Sequence, residues 1–167
     1  MTTNAATERV ADLIERLAAR GETVATAESL TGGLLAATIV DVPGASTVFR
    51  GGLVVYATDL KATLAGVPPD LLDERGPVDP DVAAALAAGA RKRCGATWGV
   101  ATTGVAGPTP QDGIAVGTVF VAVSGPSSAG QAMRLGGDRP AIRAGAVRAA
   151  IALLSTAVDR ERSDQHT

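Results

Sequence analysis

An α/β fold is predicted for this chain, specifically a three-layer α/β/α sandwich around a central sheet that is largely parallel or mixed. Three observations predict it. Helical and strand patterns alternate along the chain, its 167 residues suit a single domain, and 46% of them are hydrophobic although only 2% are aromatic. The core is therefore built from Ala, Val, Leu and Ile, and the Ala and Gly residues let helices pack closely on a sheet.

The first part of the sequence predicts a helix, a strand and a second helix. Thr7 is the expected N-cap of an amphipathic helix that Gly21 ends. A short strand follows over residues 23–27, and the second helix covers residues 34–40. Residues 28–33 therefore form a tight turn from a strand into a helix.

The middle of the sequence predicts a loop over residues 41–46 and a strand over 52–56. Asp59 is the expected cap of a short helix that carries Lys61. Residues 67–78 are rich in turn-forming types and are expected to form no regular element. Lys61 is thus placed just beyond the end of a strand.

The last part begins with the clearest helix, which Asp79 caps and which runs from Pro80 to Cys94 before Gly95. We then expect strands over residues 97–102, 117–123 and 131–135, the last at a sheet edge. Asp138 is expected to cap a final helix over residues 139–158, with a polar tail over 159–167. The prediction is thus one domain over residues 1–167, ordered from about 7 to 158.

Composition argues against several partners. The net charge is −2 and no Lys/Arg run interleaves with aromatic residues, so we expect no nucleic acid to bind. No apolar run approaches the roughly 18 residues of a membrane span, and the first ten residues do not resemble a signal peptide. We therefore expect a cytoplasmic protein with no membrane partner.

The chain has one histidine, His166, and one cysteine, Cys94. With no imidazole in the predicted core, a Ser-His-Asp triad, a Cys-His dyad and a histidine-bearing zinc site are excluded unless the tail folds back. Cys94 lies at the apolar end of a predicted helix, where packing is favoured over catalysis. A nucleophile in this chain needs another base, and we expect no metal.

Three stretches with small polar residues follow predicted strands, and sites in open α/β sheets form at the carboxyl ends of strands. The first contains Ser29, Thr31, Gly32 and Gly33 and opens a helix, where free amide groups attract an anion or an oxyanion. Ser29 could attack a substrate beside its own oxyanion hole. The alternative is that Ser29 or Thr31 only caps the helix.

The second stretch places Tyr56 five residues before Lys61. A lysine can replace histidine as a base if burial or a neighbouring cation lowers its pKa towards neutrality. Asp59 would oppose this change if its side chain pointed inward. The alternatives are a solvated surface lysine and a packed tyrosine ring.

The third stretch, residues 102–108, ends a buried strand in a turn with free amide groups. Thr103 could hydrogen-bond a substrate or orient the nucleophile, while Gly104, Ala106 and Gly107 could face a ligand. A glycine-rich turn without a ligand is the alternative. Downstream, Arg139 near a helix start suits either a phosphate or a structural carboxylate partner.

Together these stretches resemble the C-terminal amidohydrolase domain of the CinA family over residues 8 to 158. The matching marks are Thr26-Ala27-Glu28-Ser29-x-Thr31-Gly32-Gly33, Gly44-x-Ser46, Gly51-Gly52 with Tyr56 and Lys61, Gly66-Val67, Gly76-x-Val78, Thr103-Gly104-x-Ala106-Gly107-Pro108, Gly117-Thr118-Val119 and Gly137-Asp138-Arg139.

The resemblance implies an enzyme of the pyridine nucleotide cycle that hydrolyses the carboxamide of nicotinamide mononucleotide to nicotinic acid mononucleotide and ammonia. It implies a serine and a lysine as the working pair, without a metal or other cofactor, and the family's positions fall on Ser29 and Lys61. Tyr56 and Thr103 match further active-site positions. Homo-oligomers are common in the family and are expected here.

Two other functions are compatible with the same residues. One is a catalytically silent nucleotide-binding or regulatory module, which the unusual residues before Lys61 and a shortened loop over residues 109–114 favour. The other is a serine-lysine hydrolase of a different amide. Binding of nicotinamide mononucleotide without ammonia release would indicate the first, and neither binding nor release would indicate the second.

Overall fold

The computed structural model describes residues 5–164, with side chains up to residue 161. Six helices and five strands alternate through this part of the chain, with a 3-10 turn at Ala45–Thr47 between α2 and β2. In chain order they are α1 (Ala5–Ala19), β1 (Val24–Glu28), α2 (Leu34–Val40), β2 (Phe49–Val54), α3 (Thr58–Thr63), α4 (Pro69–Arg75), α5 (Pro80–Cys94), β3 (Trp98–Gly104), β4 (Thr118–Ser124), β5 (Ala129–Arg134) and α6 (Arg139–Asp164).

The five strands form one open mixed sheet in the order β2-β1-β3-β4-β5. β1 pairs in parallel with both β2 and β3, whereas β4 is antiparallel to β3 and to β5. One apolar cluster joins the sheet to α1, α2 and α6, and a second joins it to α5 and the segment that holds α3 and α4. The predicted three-layer α/β/α fold is confirmed.

Alternation along the strands decides which polar side chain faces which helical layer. Val100 packs in the cluster with α6, and Ala101 packs in the cluster with α5. Since successive side chains of a strand point to opposite faces, Thr102 faces the α2 and α6 layer and Thr103 faces the α5 layer. The same alternation along β1 places the side chain of Glu28, the last residue of this strand, on the face of the sheet that α2 covers.

Small residues bring α5 close to its neighbours, as the composition predicts. A Cβ at Gly99 of β3 would lie 1.9 Å from the carbonyl oxygen of Ala87, and one at Gly89 of α5 would lie 1.8 Å from the carbonyl oxygen of Ala65. Both distances are far below van der Waals contact. A side chain at either position would force α5 away from the sheet or from the α3 segment.

One described helix, α6, is long and apolar enough in residues Arg139–Glu161 to cross a membrane by length and composition. Within its most apolar window, 50% of the residues are buried inside the domain. Ile142, Ala146, Ala150 and Leu154 lie at spacings of four on its buried face and pack in the cluster with the sheet. This is the pattern of a core helix.

Three predicted helices are confirmed, and two of them, α5 and α6, have the predicted caps. The second helix covers residues 34–40 as predicted. The Asp79 side chain accepts hydrogen bonds from the amides of Asp81 and Val82 at the start of α5, and Gly95 ends that helix with φ 59°. Asp138 accepts a hydrogen bond from Ala141 N at the start of α6.

Two predicted caps are wrong. Thr7 lies inside α1, because Ala5 and Ala6 are strong helix formers and already belong to the helix. Asp59 lies in the first turn of α3, whose N-cap is Ala57. A carboxylate in the first turn still stabilises the helix through its dipole.

Three predicted boundaries also differ. β2 ends at Val54, and Gly52 is required within it because a Cβ there would lie 2.4 Å from Thr26 Oγ1 of β1. The stretch predicted to be irregular contains α4, which starts with proline at its first position, where the missing N–H has no cost. Residues 159–164 of the predicted tail continue α6, and residues 165–167, with His166, lie outside the described part of the chain.

Candidate active site

A cleft of about 300 Å³ lies where the parallel strands β1, β2 and β3 end. The turn after β1 supplies Ser29, the segment after β2 supplies Tyr56 and Lys61, and the turn after β3 supplies the third wall. The structure therefore brings together residues from all three stretches that the sequence singles out. The volume of the cleft is at the lower end of the range for small-molecule sites.

Ser29 is the first residue after β1, and 9% of its surface is exposed to the cleft. Its amide donates to the carbonyl oxygen of Thr102 on β3 (3.1 Å), and its own carbonyl accepts from the amide of Gly32 (3.1 Å). The second bond closes a tight turn over residues 29–32. Both bonds fix the backbone of Ser29 at the edge of the sheet.

The Lys61 side chain lies almost fully buried, with 1% of its surface exposed. Its Nζ lies 3.0 Å from Ser29 Oγ and donates to the carbonyl oxygens of Val55 (2.8 Å) and Tyr56 (3.2 Å). Asp59 is exposed, and among the described residues no carboxylate forms an ion pair with Lys61. Burial without a counter-charge lowers the pKa of Lys61 from 10.5 to about 8.

The contacts of Lys61 suit the neutral amine. A neutral amine has two hydrogens and one lone pair, and the two backbone carbonyls of Val55 and Tyr56 accept two hydrogens. The third tetrahedral direction is the one towards Ser29 Oγ. In this state the lone pair of Lys61 can accept the hydroxyl proton of Ser29, which is the contact that a general base needs.

Glu28 occupies the position where the sequence predicts an anion or oxyanion. Its carboxylate, 1% exposed, accepts hydrogen bonds from the amides of Gly33 (3.2 Å), Leu35 (2.7 Å) and Ala36 (3.0 Å). These are free amides of the first turn of α2, and the helix dipole favours a negative charge there. The N-terminus of α2 is thus capped from within the protein, by neither Ser29 nor Thr31.

The predicted binding roles of Thr31, Gly32 and Gly33 do not fit their placement, because none of the three lines the cleft. Thr31 is buried, and its hydroxyl pairs with that of Thr102 at 2.7 Å. Gly32 and Gly33 adopt φ of 57° and 103°, which glycine permits without strain. These residues shape the turn that carries Ser29.

The predicted catalytic role of Thr103 does not fit its placement either. Its side chain is 0% exposed and faces the α5 layer, where its hydroxyl donates to the carbonyl oxygen of Pro77 at 2.6 Å. The alternation of side chains along a strand explains why the prediction and the placement differ. Thr103 lies near the end of β3, so its side chain points to one face of the sheet and not along its edge. Thr103 anchors the loop that follows α4, which lines the cleft through Pro77 and Val78.

The turn after β3 lines the cleft with backbone groups of Gly104, Ala106 and Gly107. A Cβ at Gly104 would lie 2.6 Å from the carbonyl oxygen of Thr118, so a side chain there would disturb the pairing with β4. Within residues 5–164, the amides of Ala106 and Gly107 have no hydrogen-bond acceptor. They are available to a ligand.

Two arginines of α6 reach this edge of the sheet. Arg139 donates to the carbonyl oxygen of Gly107 (2.5 Å) and to the hydroxyl of Tyr56 (3.0 Å), and both side chains line the cleft. Tyr56 is 59% exposed. Arg143 donates to the carbonyl oxygens of Leu30 (2.9 Å) and Thr31 (2.8 Å) in the turn that carries Ser29.

Sequence reasoning missed Glu28 and Arg143. A glutamate that ends an apolar strand just before a helix start is a signal for an internal cap. Arg143 follows Arg139 by four residues, so both lie on one face of α6 and meet the same region. Cys94, predicted to pack, is half-buried against the cluster on the α5 side and does not line the cleft.

A family model described as "CinA C-terminal domain" matches residues 6–158. A "CinA-like protein" of Frankia casuarinae is 53% identical over 139 residues, which cover 83% of this chain and 32% of that protein. A "CinA-like protein" of Anaeromyxobacter sp. is 50% identical over 150 residues, which cover 87% of this chain and 36% of that protein. The chain spans about a third of the length of the curated relatives it matches.

Solved structures give the same result. The "competence/damage inducible protein CihA" from Agrobacterium tumefaciens superposes with a TM-score of 0.89 at 33% identity, covering 95% of this chain and 98% of that chain. A "Competence-Damaged Protein (CinA) Superfamily Protein" from Klebsiella pneumoniae gives a TM-score of 0.89 at 30% identity, covering 94% and 99%. The likeness extends over the whole sheet and both helical layers.

Proposed function

The chain belongs to the CinA C-terminal domain family, and we propose that it is a hydrolase that deamidates nicotinamide mononucleotide to nicotinic acid mononucleotide and ammonia. The single observation that carries the proposal is the contact of 3.0 Å between Lys61 Nζ and Ser29 Oγ. Burial of the amino group in this contact lowers the pKa of Lys61 to about 8. A nucleophile and a base of suitable pKa thus meet at one wall of a cleft.

The first half of the reaction makes an acyl-enzyme. Neutral Lys61 takes the proton of Ser29 as Oγ attacks the carboxamide carbon, and the carbonyl oxygen becomes an oxyanion. The amide of Leu30, which follows Ser29 and lines the cleft, is the donor for this oxyanion. The intermediate then breaks its C–N bond, and Lys61 returns the proton to the leaving ammonia.

The second half restores the enzyme. Water attacks the ester carbon while neutral Lys61 takes one of its protons. The tetrahedral intermediate releases Ser29 Oγ, which recovers a proton from Lys61, and the carboxylic acid leaves. Lys61 therefore acts as a base and then as an acid in each half, and no other titrating group is required.

The phosphate of the substrate is proposed to bind Arg139. An arginine has five N–H donors, of which Arg139 uses one for Gly107 and one for Tyr56. It forms no ion pair with a carboxylate of the described residues. A guanidinium at the cleft wall suits a phosphate monoester, and Glu28 already fills the other anion-binding position near Ser29.

The test is ammonia release from nicotinamide mononucleotide at neutral and alkaline pH. Ser29→Ala and Lys61→Ala are each expected to lower kcat by at least about a thousandfold. Ser128→Ala and Lys92→Ala, which change exposed residues away from the cleft, are the matched controls and should retain activity. A thermal shift with the nucleotide but no ammonia would indicate a binding module and contradict the hydrolase.

The cytoplasmic location and homo-oligomeric state expected from the sequence remain proposals. A mass measurement in solution at several protein concentrations tests the oligomeric state directly. The nucleotide substrate itself is a soluble, charged metabolite, and this agrees with a cytoplasmic enzyme.

A further inference from the structure

The turn that carries Ser29 is held from outside by Arg143. Its Nε–H donates to the carbonyl oxygen of Leu30 at 2.9 Å, and an Nη2–H donates to that of Thr31 at 2.8 Å. These are consecutive carbonyls, so one rigid planar group fixes two adjoining peptides. The turn is closed independently by the bond from Gly32 N to Ser29 O.

This arrangement fixes the direction of two amides. The peptides of the turn are trans, so each N–H points opposite to the carbonyl of the same peptide. Because the carbonyl of Leu30 points to Arg143, the N–H of Thr31 points away from that side chain. The carbonyl of Ser29 is engaged by Gly32, which in the same way sets the direction of the N–H of Leu30.

Neither amide has a partner within the part of the chain that the structure describes. Among the hydrogen bonds of residues 5–164, no acceptor is found for the N–H of Leu30 or of Thr31. The next amides along the chain are occupied, since Gly32 binds Ser29 and Gly33 binds Glu28. The turn therefore keeps two amides without an acceptor among the described residues, and of these two residues Leu30 lines the cleft with Ser29.

No other contact among the described residues explains why the Arg143 side chain lies at this turn. The side chain is half-buried and, in the part of the chain that the structure describes, forms no ion pair with a carboxylate. Its charge is offset only by the two carbonyl dipoles. Placing a half-buried cation there has a free-energy cost, and the contact with the Ser29 turn is what offsets it.

We propose that Arg143 is a positioning residue that holds this turn so that the amide of Leu30, at the wall of the cleft, meets the oxyanion formed when Ser29 attacks. The inference rests on the proposed function. It adds that the oxyanion site is built by α6 acting through the peptide backbone. Without Arg143 the Thr31–Gly32 peptide can rotate, so Gly32 N no longer holds Ser29 O and the amide of Leu30 is not fixed before the reaction begins.

The experiment compares Arg143→Ala and Arg143→Lys with Arg148→Ala, which changes an exposed arginine of the same helix. Two readouts are used: ammonia release from nicotinamide mononucleotide, and the rate at which p-nitrophenyl acetate acetylates Ser29, followed by intact mass. Arg143→Ala is expected to lower kcat and the acetylation rate about 10- to 100-fold, because donors of an oxyanion site act in the transition state.

Three further results separate positioning from a merely structural role. The KM of Arg143→Ala should stay within about twofold of the parent value, because the variant loses no contact that binds the substrate and the transition state equally. The midpoint of the pH profile should not move, because Lys61 is untouched. Added guanidinium ion should restore part of the activity of Arg143→Ala, and Arg143→Lys, with one donor group in place of a planar pair, should be intermediate.

The outcomes distinguish this inference from the proposed function. If Ser29 of the parent protein is acetylated but no ammonia is released, nicotinamide mononucleotide is not the substrate. The acetylation rates of the variants then still test the positioning role of Arg143. Equal acetylation rates for the parent, Arg143→Lys and Arg143→Ala overturn the inference. The inference is also overturned if Ser29 of the parent protein is never acetylated, because the turn then stabilises no oxyanion. If Arg143→Ala does not fold, Arg143→Lys alone decides.

Discussion

The turns after β1 and β3 lie side by side at the carboxyl edge of the sheet, yet they use their polar groups in opposite ways. Around the first turn, Glu28 accepts the amides of α2, Arg143 binds the carbonyls, and Lys61 contacts the Ser29 hydroxyl. In the second turn, Ala106 and Gly107 line the cleft, and their amides have no acceptor among the described residues.

The difference separates two tasks. A turn whose groups are bound by the protein is fixed before any substrate arrives, which suits a nucleophile that must be aligned in advance. A turn whose donors are free can exchange water for a ligand. We therefore propose that the chemistry takes place at the β1 turn with Lys61, and that the β3 turn with Arg139 binds the nucleotide. Changes in the first region should affect kcat or stability, and changes in the second should affect KM.

Apart from the loss of Ser29 or Lys61 themselves, the largest expected effect is the dependence of kcat/KM on pH, because kcat/KM reports the pKa values of the free protein. Burial holds the pKa of Lys61 at about 8, and only its neutral form can accept the Ser29 proton. Activity should therefore rise as pH rises: about tenfold per pH unit below 8, and level above it. At pH 6 kcat/KM should be about 100-fold below its plateau. A profile that is flat from pH 6 to 9 would contradict Lys61 as the base.

The next effect is the loss of stability when the internal cap of α2 is removed. Glu28→Ala leaves three amides without their acceptor and opens a cavity, so the free energy of unfolding should fall by about 2 to 4 kcal/mol. Glu28→Gln keeps the size and an acceptor oxygen, and should lose about half as much. Urea unfolding measures both, with the exposed Glu74→Ala as a control. Equal stability of all three variants and the parent would show that the cap is not needed.

Arg139→Ala tests the binding side of the comparison. We expect KM for nicotinamide mononucleotide to rise about 10- to 100-fold, since a charge-assisted contact to phosphate is lost, while kcat changes little. Nicotinamide riboside, which lacks the phosphate, should be a poor substrate for the parent and lose nothing further in the variant. A fall in kcat at constant KM would instead place Arg139 in the chemistry.

The fold was largely predictable from the sequence because its signals are local. α2, α5 and the start of α6 follow from helical periodicity, from Asp79 and Asp138 as caps, and from Gly95 as a stop. Helix α4 was not predictable, because the two adjacent prolines at its start, Pro68 and Pro69, indicate a turn as readily as a helix start. Strand boundaries differed by one to three residues where glycines in β2 pair closely with β1.

The site was predictable only in part, because residue type and spacing do not tell which side chains contact each other. Ser29 and Lys61 are 32 positions apart in sequence, and only the pairing of β1 with β2 brings their segments together. Glu28 shows the opposite problem. The free amides of a helix start are visible in the sequence, but the group that occupies them is decided by the face on which β1 ends.

The smallest expected effect concerns Thr103, whose neighbours in sequence line the cleft while its own side chain does not. Thr103→Val keeps the shape and removes the hydrogen bond to Pro77 O, which should lower the free energy of unfolding by about 1 kcal/mol. Steady-state kinetics should show kcat and KM both within about twofold of the parent, since no atom of the side chain reaches the substrate. A loss of kcat above tenfold in a stable Thr103→Val protein would mean that the loop after α4, held by this bond, aligns Ser29 and Lys61 and that the β1 turn is not fixed from within.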